Sequence, residues 1–307
     1  MPVKLGVLLF CSVALLCQNA SAQSDFWKSK DAYLGQPQPS DAPQIFAPGL
    51  LADEGTSIMG RVAFSADGKE FYFAQNDSWE RGDHAKLKMI RFADHHWGKA
   101  SVIAGQSLTP TFSLDQNTLY MRKIIPGASM KNVWQAKRTA TGWSAPIEYL
   151  SENFGVYDFM PTRSGNAYVG SEADAEDQKN GINYAFSVLT VSDGKAQVKS
   201  LGRPLNEPGF NGDLYVAPDE SYMIVSAKET KTYQSELYIS FHKHDGTWTE
   251  PISLGEKIND GLAHRWGQYI SPDGKYLFYS RGTSEADCAI YWVRFDHLLA
   301  RLRPKNL

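Results

Sequence analysis

Two carboxylates, an imidazole, two guanidinium groups and two large aromatics stand at comparable places in a 307-residue chain. Arg61 ends "IMGR", Tyr157 and Asp158 end "GVYD", Asp213 ends "FNGD", and His264, Arg265 and Trp266 open "HRWG". Asn211 lies beside Asp213. Such a set can do three kinds of work. Asp158 and Asp213 could act as acid and base on a glycosidic bond, if about 5–5.5 Å or about 6.5–9.5 Å separates them. His264 could be the general base or a metal ligand of a lyase. Alternatively Arg61, Tyr157, Asp158, Asp213, His264, Arg265 and Trp266 could bind a sugar or a small anionic metabolite. Aromatic faces would take its ring and Arg forks its carboxylates. The third possibility is that Arg61 and Arg265 neutralise Asp158 and Asp213 and fill the interior, since buried charges persist only when paired. The residues alone leave these readings open. No metal site and no cofactor is expected.

What would bring these residues together is a repeat. "SADGKEFYFA", "SLDQNTLYMR", "TRSGNAYVGS", "APDESYMIVS" and "SPDGKYLFYS" are variants of one phrase. Their anchor residues are Asp67, Asp115, Ser164, Asp219 and Asp273, spaced by 48, 49, 55 and 54 residues. A period of that size marks blades or solenoid units. Arg61, Thr109, Asp158, Asp213 and Gly267 each stand six residues before an anchor. If the repeats are arranged in a ring, these five positions meet at one end of it.

Each repeat has the same internal order. An apolar strand runs into an Asp-Gly turn or a degenerate form of it, a hairpin signal because Gly tolerates positive φ. A Tyr- and Phe-rich strand follows, then a polar loop. A third strand such as "ELYISFHK" leads through another turn to a fourth that opens with Trp or a substitute, as in "WTEPISLG". Four antiparallel strands per repeat are the layout of a propeller blade. The fifth repeat lacks its last strand, and "PQIFAPGLL" at residues 43–51 is an orphan strand before the first. A ring of blades must close or expose sheet edges. The expectation is an all-β, five-bladed propeller over residues 43–307, closed by this N-terminal strand. Residues 23–42 would form an extended segment over its surface, and residues 295–303 a short terminal helix.

The hairpins "SPDGKYLFYS" and "SADGKEFYFA", with "ELYISFHKHDGTWTEPISLG", resemble the WD40-like propeller repeats of the TolB type. The resemblance covers about residue 42 to the end. Gln116, Ser164 and Glu220 depart from its hallmark. It implies a propeller that makes protein contacts in the cell envelope, and it implies no particular chemistry, because propellers host many activities.

Residues 1–22 read as a cleaved signal peptide: a basic start, an apolar run over residues 5–17 too short to span a bilayer, and Ala20-Ser21-Ala22 before the cut. The protein is therefore expected to be periplasmic or secreted, with no membrane span. Of three cysteines, only Cys288 would remain, a packing residue with no partner for a disulfide. With a net charge of −3, nucleic acid is not an expected partner. The pair His242 and His244 sits beside a turn and reads as a solvated hairpin, as do His95 and His96. "SEADAEDQKNG" lacks calcium-loop spacing and reads as a solvated connection. Trp79, in "NDSWERGDHAK", is expected at the rim, flanking a ligand or packing over a neighbouring blade. The expected role is a binding or protein-interaction module for an envelope protein or a small polar or glycan ligand. The alternative is a glycoside hydrolase or polysaccharide lyase using the same mouth.

Overall fold

The computed structural model describes residues 25–53, 56–79, 82–125, 132–172, 174–193, 195–208, 212–228, 230 and 232–306. Residues 1–22, read above as a signal peptide, and Asn211 lie outside them. Five antiparallel sheets follow one another along the chain, and their innermost strands converge on a central channel. Four of those strands are Ser107–Phe112, Tyr157–Pro161, Leu214–Val216 and His264–Ile270. In blade one the inner strand is split into Ser57–Ile58 and Ala63–Phe64. This is the five-bladed propeller that the repeat spacing predicts.

The seam lies where expected. Gln44 pairs with Trp292 and Ile45 with Tyr291, so the N-terminal strand completes the sheet of blade five. Phe46 continues it, donating its N–H to the Ile290 carbonyl at 2.8 Å. Its ring is buried against Phe71, Phe278 and Trp292. One aromatic cluster thus holds the first and last blades together. Residues 25–42 are packed more deeply than a surface connection requires. Tyr33 is fully buried and donates to Asp273 at 2.7 Å, and Trp27 donates to the Ala66 carbonyl. A helix at Asp296–Leu302 buries Leu298 at the other end of the chain.

The repeated turn has a physical basis. In blades one, two and five a Ser hydroxyl donates to the anchor Asp, and the same oxygen accepts the N–H five residues on. The residue after the anchor is left-handed throughout: Gly68, Gln116, Gly165, Glu220 and Gly274 all have φ between +61° and +89°. The acidic connection in blade three is not wholly irregular. Asp174 caps a helix at Ala175–Lys179 through the N–H groups of Glu176 and Asp177. His242 stacks on Trp248, while His95 and His96 sit in an exposed turn. Among the described residues no helix is long and apolar enough to cross a membrane.

Candidate functional site

Arg61 is the centre of the propeller. It is 1% exposed, and its guanidinium reaches every other blade. Nη2 donates to Asp158 Oδ1 of blade three at 3.0 Å and to the Leu214 carbonyl of blade four at 2.6 Å. Nη1 donates to Thr111 Oγ1 of blade two, and Nε to the Gln268 carbonyl of blade five. Asp158 is 7% exposed and has both oxygens engaged, the second by the Leu214 N–H at 3.3 Å. A chain register slip explains how Asp158 turns inward. The inner strand of blade three breaks its pairing between Tyr157 and Met160, and Asp158 takes φ +54°. Such bulges re-aim side chains at sheet edges. The same break recurs after Leu108 and after Trp266. Gly267 needs its missing Cβ at this point: a methyl there would lie 2.4 Å from the Gly60 carbonyl carbon.

Above this ion pair a cavity of about 380 Å³ opens to one face. Tyr157, Asp158, Asp213, His264 and Trp266 all line it. Asp213 accepts the Gly267 N–H at 2.9 Å. The His264 ring stacks on Trp266, with centroids 3.9 Å apart, and Trp79 meets both edge-on at 5.4 and 5.5 Å. Tyr233 joins the cluster from blade four. Rings from three blades therefore form one wall. The facing wall is Tyr157 and Tyr184, 5.6 Å apart, with the Arg122 guanidinium over Tyr157. The Tyr184 phenol is raised well above its usual value, first by burial and then by the charges of Asp158 and Asp213.

Of the seven residues singled out from sequence, five line the cavity and two do not. Arg61 lies beneath it, paired to Asp158. Arg265 is elsewhere: its guanidinium donates to the carbonyls of Ser235, Ile258, Ala263, Asp260 and Gly261 between blades four and five. An ion pair with Asp260 at 3.6 Å adds to this. Neighbouring strand residues point to opposite faces, so Arg265 and Trp266 cannot share the cavity. Tyr184, Arg122 and Tyr233 are cavity residues that the sequence reading missed. A signal for Tyr184 was present in Gly170 on the paired strand. A Cβ at Gly170 would lie 1.6 Å from the Tyr184 hydroxyl. Trp79 combines both expectations, packing on a neighbouring blade and lining the cavity.

A second basin, about 520 Å³, opens on the opposite face. Arg61 lines that basin and Asp158 lines the first, so their ion pair partitions the channel. Cys288 is buried, with its thiol pushed up to about 12 mainly by desolvation.

No protein-family model matches the sequence, and no match is found among curated proteins. Solved structures of similar shape include a protein of unknown function from Dyadobacter fermentans, with 12% identity and a TM-score of 0.48 over 78% of this chain and 79% of that one. TolB from Acinetobacter baumannii gives 10% identity and 0.41 over 64% of this chain and 46% of that one. A mutant of the GH43 protein BlXynB from Bacillus licheniformis gives 12% and 0.44 over 78% and 50%. The chain thus spans about half the length of the TolB and GH43 chains.

Proposed function

We propose that this chain is a secreted or periplasmic propeller of the TolB type that binds a small polar ligand at one channel mouth without transforming it. The observation that carries this reading is the floor of the cavity. Asp158 has both oxygens engaged, by Arg61 and by the Leu214 N–H, and so is held as a structural acceptor rather than an acid or base. Around it stand aromatic walls with a few polar groups, the usual make-up of a ligand pocket. The envelope location rests on the leader-like residues 1–22, and the TolB assignment on the hairpin motifs.

A glycoside hydrolase or lyase remains the second reading, favoured by Asp213 and His264 lining the same cavity. Thermal-shift titration with neutral and acidic saccharides and small carboxylates separates the two. Binding that stabilises the wild type but not Asp213→Asn, with no product by chromatography, supports a binding module. Turnover abolished by Asp213→Asn identifies an enzyme. No stabilisation by any ligand sinks both and turns attention to protein partners.

A further inference from the structure

We propose that the cavity holds one terminal ring of a neutral saccharide, entering end-on from the open mouth. This rests on the reading of the cavity as a ligand site and gives that ligand a chemical class and a binding mode.

End-on entry follows from the partition. The Arg61 guanidinium ties five blades together between the two mouths, so no chain can thread the channel. The cavity is also small. At about 380 Å³ it lies near the lower end of the range of about 300–1,000 Å³ for ligand sites. One ring, with the remainder of the ligand left in solvent, matches both facts.

The class follows from the walls. Trp79, Trp266 and Tyr233 come from three different blades and surround a stacked imidazole. Flat aromatic surface with polar edges suits a ring that has an apolar face and hydroxyls around its rim. Tyr157 and Tyr184 bring phenols from the other side, and Asp213 a carboxylate. These groups exchange hydrogen bonds with hydroxyls. An anionic ligand fits less well. Arg61 and Arg265, the guanidinium groups that sequence offers to it, are engaged with Asp158 and with backbone carbonyls. Among the described residues Arg122 is the guanidinium lining the cavity, and the carboxylates of Asp158 and Asp213 line it too.

The test is calorimetric titration of the protein with linear gluco-, manno-, galacto- and xylo-oligosaccharides, each from monomer to tetramer. Cyclomaltohexaose, which has no terminus, and the non-sugar rings benzoate and tyramine complete the set. One linear series should bind with similar affinity from monomer to tetramer, and the cyclic sugar should not bind. Trp266→Ala and, independently, Trp79→Ala should each weaken binding about tenfold or more in protein that still unfolds cooperatively in urea. Affinity that climbs with every added residue, or binding of the cyclic sugar, overturns the end-on mode. Binding of benzoate or tyramine instead of any saccharide, lost in Trp266→Ala, overturns the saccharide class while the cavity reading stands. No binding by any probe overturns both.

Discussion

Arg61 and Asp158 face opposite mouths of one channel and meet at 3.0 Å between them. The pair is buried, and each member also satisfies backbone groups of blade four. Removing one partner of a buried pair leaves an uncompensated charge. Arg61→Ala should therefore cost about 3–5 kcal/mol in urea unfolding. Asp158→Asn keeps an acceptor for the Leu214 N–H but leaves the Arg61 charge buried and uncompensated, and should cost a comparable amount. Equal, small losses for both would show that the hub does not hold the ring.

Gly170 makes room for the Tyr184 phenol. Gly170→Ala should destabilise by about 1–3 kcal/mol, the range for overpacking. Gly170→Ala combined with Tyr184→Ala should recover part of that loss, because the clash is removed. A double variant no better than the sum of the singles would contradict the contact.

Glu70 ties blades one and two, pairing with Arg91 at 2.8 Å and with Arg138 at 3.0 Å. Burial alone would raise its carboxyl, but hydrogen bonds from Arg138 and Tyr72 and the two positive charges outweigh it, so it sits below the usual range. A carboxyl that ionises at lower pH when folded contributes fully above the ordinary carboxylate range. That contribution fades as pH falls through the folded value. Urea midpoints from pH 7 to pH 3 should drop along an acid limb that is shallower in Glu70→Gln. An unchanged slope would assign the limb to other groups.

The closing strand is testable at Phe46. Phe46→Ala should cost about 3–5 kcal/mol, as large buried aromatics do. Deleting residues 43–51 should bare the Ala289–Arg294 edge and produce concentration-dependent association in light scattering. A monomeric, cooperatively folding deletion would refute the seam.

Much of this was legible in the chain because propeller blades repeat their chemistry. The Ser-x-Asp turns, the strand order and the donor of the missing strand are local signals. The departures were harder to read. Gln116 and Glu220 replace the turn Gly, and the reason lies in another blade. The Gln116 side chain accepts the Ala66 N–H of blade one, and Glu220 accepts from Thr162, Ser164 and Tyr168 of blade three. Those contacts offset the left-handed backbone and cannot be inferred from one repeat. Arg265 was misplaced for a related reason. Spacing from the anchor locates a residue along the strand but not its face, and alternation turns Arg265 away from the side that His264 and Trp266 share.

The seam makes the ring indivisible. The strand at Gln44–Ile45 precedes all five blades along the chain, and its partner at Ala289–Arg294 follows four of them. Until blade five exists, Phe46 and its neighbours have no aromatic cluster to enter, and both ends of the nascent sheet array stay open. No subset of blades can be cut out as a smaller domain with its edges covered. Like a belt with buckle and tongue on opposite sides of the strap, the ring is fastened only when all five blades are present.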